Sequence, residues 1–413
     1  MCVRVFKRYF ERNDVRFVLP FGEDTEVIVI IPVLNDPDIF RTVNNLAHCS
    51  LAEGSAGVVI FVNHSEACDE TTREANLRLV AELRDYTNRF AAMAPAIRFY
   101  VAEAFDLPAK FAGVGLARKL AMDAAAHCFY RHGHAGRPIL SLDADTDVEV
   151  NYLDETIRFF RENPVAGVSI AYTHRWQECS GETARAMIRY ELYLRYYQVA
   201  LRYAGHPYAY PCIGSAFAVR ASDYVAQGGM NRRQAGEDFY FLQKLIATGR
   251  YALLRTTTVH PSARFSERTP FGTGQSVRRI VEEGGSFPVY HPQAFRDLRR
   301  FFAEVPDFYG MGEPAVCACF AAQSEALRAY LKETDVYAIV KEVQENCASG
   351  KQFARRFFDN FNAFRVLKFL NYTHEHFYVK IEIEEAVAVL LSWLGVAPAA
   401  TDVENLEILA NLD

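Results

Sequence analysis

Apolar residues along this chain gather into short, β-branched runs separated by stretches with helical spacing. Glu26–Val33 (EVIVIIPV), Gly57–Val62 (GVVIFV) and Ala96–Val101 are strand-length runs bounded by polar or turn residues. The first is too continuously apolar for a sheet with one wet face, so it is predicted to be a central parallel strand. Helical spacing covers Asp38–Ala47, Thr71–Phe90 and a stretch that starts near Phe111 and runs to Tyr130. Another apolar run, Ile139–Leu142, follows, then a strand at Val165–Tyr172, a helix at Thr183–Tyr203, a helix at Phe239–Ala247 and a strand at 251–260. Strands alternating with helices at this pace predict an α/β fold built on a doubly wound, mostly parallel twisted sheet. Residues 1–25 are mixed and charged and are expected to pack as a leader on the edge of the first domain. From about Val289 the β-branched clusters stop. Helical periods take over at Ala294–Phe302, Ser324–Glu333, Val336–Glu345, Lys351–Lys368, His374–Trp393 and Val403–Leu412. The expected organisation is an α/β domain over 1–290 and an all-helical region over 291–413.

Composition narrows the class. At 413 residues the chain is long enough for two cores. Its 45 basic against 51 acidic side chains give a formal charge of −6, which argues against a nucleic-acid partner. The nine cysteines are scattered, odd in number and without zinc-type spacing, so free thiols in a reducing cytoplasm are expected. No apolar run reaches the roughly 18 residues that cross a bilayer, and the charged start does not read as a signal peptide. Arg355–Phe369 interleaves basic residues with Phe. Two readings fit it: a helix on a partner or the inner membrane face, or a core helix with a basic outer side. Oligomeric state is open, a homodimer being one option.

In an open α/β sheet, ligands bind beyond the carboxyl ends of the strands. Here those ends carry Asn35 and Asp36, Asn63, and Asp143 and Asp145. If the strand through Ile139 persists, alternation puts Asp143 and Asp145 on one face. Two carboxylates so placed repel unless a cation lies between them. Hard oxygen ligands suit Mg²⁺ or Mn²⁺, which also bind substrate phosphates. The plainer alternative is an aspartate capping a helix.

Taken in order, these features resemble a nucleotide-sugar glycosyltransferase of the GT-A fold, most like family 2, over roughly residues 26–275. Ile31-Pro32-Val33-Leu34-Asn35-Asp36 is similar to the family's first strand end, Asn63 stands where an Asp is more usual beside the base, and Ala117-Arg118-Lys119 is similar to the helix start beside the diphosphate. Asp143-Ala144-Asp145 is similar to the Asp-x-Asp metal motif. Pro211 through Arg220 resembles the acceptor-side segment, where Gly214 would let backbone approach a sugar and Ser215 follows it. Gly236-Glu237-Asp238 looks like the family's Glu-Asp motif, which implies that Asp238 is the catalytic base of an inverting enzyme, with Glu237 beside it.

The resemblance implies a donor site of Pro32, Asn35, Asp36, Asn63, Lys119 and Asp143, with Arg264 and Arg268 in a loop over the diphosphate. It implies Mn²⁺ or Mg²⁺ held by Asp143, Asp145 and His260. A carboxylate at a helix start is expected to be stabilised as the anion, which would keep Asp238 available as a proton acceptor. The implied reaction moves a hexose from a UDP- or GDP-sugar to an acceptor hydroxyl on a glycan, a lipid-linked molecule or a small molecule. The aromatic stretch Tyr190–Tyr210 offers stacking surface for an acceptor or buried helix packing. Gln275-Ser276-Val277-Arg278-Arg279 lacks the Trp of the processive synthases' motif, so processivity is not implied. The rival readings are a retaining transferase acting on a small acceptor, a nucleotidyltransferase and a non-catalytic nucleotide-sugar-binding scaffold. Pro32–Pro37 has no glycine-rich phosphate loop, which counts against the nucleotidyltransferase.

Overall fold

The computed structural model describes residues 2–232, 236–264 and 272–412. Its α/β class is the one that the hydrophobic pattern predicts. The described residues contain an eight-stranded sheet formed by β1 (Thr25–Val33), β2 (Ser55–Ser65), β3 (Ile97–Leu107), β4 (Pro138–Ser141), β5 (Asp147–Val148), β6 (Gly167–Tyr172), β7 (Phe217–Arg220) and β8 (Tyr251–His260). Their order across the sheet is β3-β2-β1-β4-β7-β6-β8-β5.

Pairing is parallel from β3 through β4 and between β6 and β8. It is antiparallel where β7 joins β4 and β6, and where β5 joins β8. The two continuous apolar runs occupy the middle: Val27–Ile31 of β1 and Val58–Val62 of β2 have no exposed surface. Chain direction then determines what meets at the edge. The carboxyl ends of β1, β2 and β4 share one edge, and antiparallel β7 begins at that edge, with Phe217 opposite Ser141. The Pro211–Ala216 segment, which leads into β7, therefore arrives beside the end of β4.

The strand through Ile139 does not persist to the aspartates. It ends at Ser141, and the chain turns sharply, with Thr146 N donating to Asp143 O at 3.3 Å. Asp143 and Asp145 thus stand in a turn rather than alternating along a strand.

The helix Val114–Arg131 packs under the sheet and buries nearly all its first four turns, including Arg118, Lys119 and Asp123. Within the expected leader, Cys2–Phe10 forms a helix. Phe6 stacks on Tyr130 at 5.2 Å, and Tyr9 OH donates to Asp123 Oδ1 at 2.7 Å.

By compactness the chain divides into two units, Met1–Arg175 with Tyr210–Phe271 and Trp176–Ala209 with Gly272–Asp413. The second unit is helical apart from a two-stranded ladder of Pro288–Val289 with Ile381–Glu382. Its long helix Gly181–Tyr203 carries the aromatic stretch into helix packing: Tyr193 lies edge-on to Phe287 at 5.5 Å, and Tyr196 OH donates to Tyr290 O at 2.7 Å. Lys351–Lys368, expected as one helix, is two: Gly350–Asn360, then Ala363–His376. Asn362 Oδ1 accepts from Phe364 N and Arg365 N at 3.1 and 3.3 Å, capping a new helix. Phe353, Phe357, Phe361 and Phe369 are buried, so the Arg/Phe-rich segment is a core element with a basic outer side. Among the described residues no helix is long and apolar enough to cross a membrane.

Candidate active site

One buried guanidinium ties the site together. Arg118 lies one turn into its helix, behind Gly113 at the N-cap, and its side chain is 3% exposed. Its Nη2 donates to Asp143 Oδ1 at 2.9 Å and its Nε to Glu237 Oε1 at 3.0 Å. Its Nη1 donates to Gly214 O at 3.0 Å and to Ser141 Oγ, which itself donates to Gly214 O at 2.7 Å. Three segments far apart in sequence are thus held by one side chain. Burial opposes its charge, but Asp143, Glu237 and Asp238 outweigh that and hold its pKa above the ordinary value.

Gly214 has a steric duty here. A Cβ on it would sit 2.8 Å from Asp238 Oδ2 and 3.1 Å from Arg118 Nη2. The absent side chain is what lets the acceptor-side segment close on the two charged groups. Ser215 is buried beside it.

Glu237 and Asp238 open the helix Glu237–Ile246. Both pKa values are raised, with desolvation the largest cause. For Glu237 the neighbouring Asp238 adds to the rise and Arg118 opposes it. For Asp238, Arg118 and the Phe239 N–H, which donates at 2.7 Å, oppose the rise, while Asp143 adds to it. The helix-start argument predicts a stabilised anion at Asp238. Burial and the second carboxylate win instead, and the result is a stronger proton acceptor.

At the other end of the site, Asp145 is pushed up to about 6 by desolvation and then by Asp143, with Arg264 opposing. Arg264 Nη1 lies 2.7 Å from Asp38 Oδ2, its Nη2 lies 3.2 Å from Asp145 Oδ2, and it also pairs with Asp36. Arg268 lies outside the described residues.

The strand ends of β1 and β2 are joined by side-chain amides. Asn63 Nδ2 donates to Val33 O at 2.8 Å and to Phe61 O at 3.3 Å. Asn76, buried in the helix Glu70–Asn88, accepts from Asn35 N at 2.9 Å and donates to Asn63 O at 3.1 Å. Asn35 is exposed with φ at 44°, a left-handed conformation that Asn tolerates better than most residues. Pro32 lies inside β1, buried opposite Phe61.

Two expected site residues have their hydrogen-bond partners outside the Arg118 cluster. Lys119 does not share Arg118's side of the helix: its Nζ lies 2.6 Å from Asp123 Oδ2 and donates to Tyr9 OH at 3.1 Å and Asn13 Oδ1 at 3.2 Å, in a buried cluster. Adjacent helical residues point about 100° apart, so only one of the pair can face the site. His260 ends β8 as expected, but β5 pairs with it there. Its Nε2 lies 2.8 Å from Glu149 Oε1 and its Nδ1 3.3 Å from Thr173 O. Among the described residues no group of three or more His, Cys, Asp or Glu is arranged to hold a metal ion.

Sequence reasoning missed Arg118 and Asn76 as individual site residues. The signal for Arg118 was an arginine in an otherwise small and apolar helix start, Gly-Leu-Ala-Arg. Asn76 carried none, since a polar residue in a polar helix is unremarked.

No protein-family model matches this chain, and no curated protein matches it. Solved structures do resemble its fold. S. aureus TarS 1-349 in complex with UDP-GlcNAc is 14% identical, with a TM-score of 0.40 over 82% of this chain and 91% of that one. The mannosyltransferase PcManGT from Pyrobaculum calidifontis, in complex with GDP-Man and Mn²⁺, is 14% identical, with a TM-score of 0.36 over 87% and 94%. GalNAc-T7 with UDP, GalNAc and Mn²⁺ is 12% identical, with a TM-score of 0.36 over 80% of this chain and 56% of that one. The chemistry open to this chain rests on its own side chains.

Proposed function

We propose that this chain is a glycosyltransferase of the GT-A type, moving a sugar from a nucleoside-diphosphate sugar to an acceptor hydroxyl with inversion. The observation that carries the reading is the convergence on Arg118 of a donor-side carboxylate, Asp143, and the acceptor-side pair at the Glu237 helix start. A transferase needs a place for departing negative charge next to a base. A cation on Asp143 would supply the first, and Asp238, in the field of Arg118, would be the second.

Asp238 takes the proton of the acceptor hydroxyl as that oxygen bonds to the anomeric carbon and the bond to the diphosphate oxygen breaks. Its raised pKa suits that task. Glu237, locked on Arg118, fixes the start of the helix that carries Asp238. Asn35, Asp36 and Asn63 line the strand ends where nucleoside would lie.

The donor set fits a hard divalent cation at Asp143 and Asp145, because the charge of one raises the pKa of the other and a cation would relieve that repulsion. With His260 engaged by Glu149, two carboxylates and the diphosphate oxygens would make up the shell, as is usual for Mg²⁺ at phosphate sites. A bound Mn²⁺ or Mg²⁺ supplies Lewis-acid neutralisation of the departing diphosphate.

Thermal unfolding tests this reading, using UDP, GDP, CDP, dTDP and their common sugars with Mn²⁺ and with EDTA. A ligand at a hundredfold excess over its Kd stabilises by about 2.7 kcal/mol. The expected result is a metal-dependent rise in Tm with one nucleotide, abolished in Asp143→Asn. No rise with any of them would remove the transferase reading.

A further inference from the structure

The carboxylate end of the site already holds a cation, and that cation belongs to the chain. Arg264 reaches Asp36 and Asp38 beyond β1 and Asp145 in the turn after β4, so one guanidinium spans three acids from two separate segments. The neighbouring Asp147 is met by Arg41 at 2.8 Å and by Arg175, which also donates to Asp145 O at 3.1 Å, so Asp145 is held by Arg175 at its backbone and by Arg264 at its carboxylate. The arrangement is built rather than incidental. Asp36 is buried, and its Oδ1 accepts from Asp38 N at 3.1 Å, which fixes both acids on one turn. Arg264 keeps 30% of its side chain exposed, so the ion pairs lie where an arriving ligand can reach them.

We propose that Arg264 is a tethered counter-cation, exchanged for the divalent ion when the donor binds; this rests on the transferase reading above. Arg264 and a divalent ion both claim Asp145. A planar guanidinium is also suited to paired contacts with phosphate oxygens. Without nucleotide, Arg264 stays on the acids and holds free metal off. When a diphosphate arrives, it offers Arg264 another anionic partner, and Asp145 is released to the metal. Metal and nucleotide therefore help each other to bind beyond what direct chelation gives, and the help is reciprocal.

The test is Mn²⁺ binding followed by electron paramagnetic resonance, with and without UDP, GDP, CDP or dTDP, and nucleotide binding in EDTA followed by titration calorimetry, in the wild type, Arg264→Gln and Arg264→Lys. In Arg264→Gln, Mn²⁺ alone is expected to bind at least about fivefold tighter, the low end of ordinary coupling between sites. The same variant is expected to bind the metal-free nucleotide at least about fivefold more weakly, by the same reckoning. A static positive charge would give the same two signs but would leave unchanged the factor by which nucleotide tightens Mn²⁺, whereas exchange predicts that this factor falls at least about fivefold in Arg264→Gln; an unchanged factor overturns the proposal. Either change alone overturns the proposal. Arg264→Lys keeps a charge that cannot span three acids at once, so both effects are expected at intermediate size. Unchanged values there overturn the proposal should the Gln variant not fold. A wild type that binds none of UDP, GDP, CDP and dTDP with Mn²⁺ brings down the transferase reading itself.

Discussion

At the residue scale the site is a set of carboxylates held against their preference. Asp145 has a folded pKa of about 6 against an ordinary 3.8, so the folded chain binds this proton more tightly than the unfolded chain does. Its contribution to stability is therefore present below about pH 3.8 and lost as the pH rises through about 6. By pH 7.5 the ionised side chain costs up to about 3 kcal/mol, from about 1.36 kcal/mol per pH unit. Asp145→Asn should raise Tm at pH 7.5, with the gain vanishing near pH 3.5, while metal-dependent nucleotide binding is lost. Calorimetry at the two pH values checks it, and a variant less stable at pH 7.5 would show that the carboxylate is satisfied in the apo protein. Gly214 gives a second prediction at this scale. Alanine there pushes a methyl group into Asp238 and Arg118. Turnover should fall about a hundredfold, the usual result of moving reacting groups by about an ångström. Stability should fall as well, by the roughly 1–3 kcal/mol that overpacking costs, with no added backbone strain because Gly214 is not left-handed.

At the scale of elements, the helix Val114–Arg131 acts in two directions. Arg118 faces the site, while Lys119 and Asp123 face a buried cluster with Tyr9 of the N-terminal helix. Lys119→Met should leave Asp123 without its cation and cost about 3–5 kcal/mol, the usual effect of breaking a buried pair. Donor affinity should be unchanged. A raised KM at unchanged stability would instead return Lys119 to the diphosphate. What sequence could reveal follows the same division. β1 and β2 were legible because strands buried on both faces leave unbroken apolar runs. β7 was not, because its four residues, Phe217–Arg220, run antiparallel in a region that reads as a ligand-binding segment. The N-terminal helix was hidden because Phe6 and Tyr9 share one face among charged neighbours. Asp143, Glu237, Asp238 and Gly214 were legible as motif positions, but their convergence on Arg118 was not, since it depends on the direction of β7. His260 was placed correctly at a strand end. What sequence could not supply was β5 beside it, after which Glu149 meets the ring.

For the whole molecule, the decisive fact is that the candidate site lies within one compact unit. Asn35, Asp36, Asn63, Arg118, Asp143, Asp145, Gly214, Asp238 and Arg264 all fall in Met1–Arg175 or Tyr210–Phe271. The second unit has its own aromatic core: Phe301 lies within 6.0 Å of Phe308, Phe320, Phe357 and Phe361. A core of that kind gives the helical unit a source of stability independent of the donor. Ligand that binds only the folded state slows opening of the elements it touches, and opening is local where cooperative units are distinct. Hydrogen exchange with nucleotide and Mn²⁺ should therefore slow in peptides covering 33–38, 61–65, 141–147, 212–217 and 237–241. Peptides from 292–412 should exchange at the rate of the free protein. Matching protection of the helical peptides would mean that donor binding is linked to the second unit. In that case Arg264, four residues past the end of β8 and eight before Gly272, where the second unit resumes, becomes the segment through which to look for the linkage.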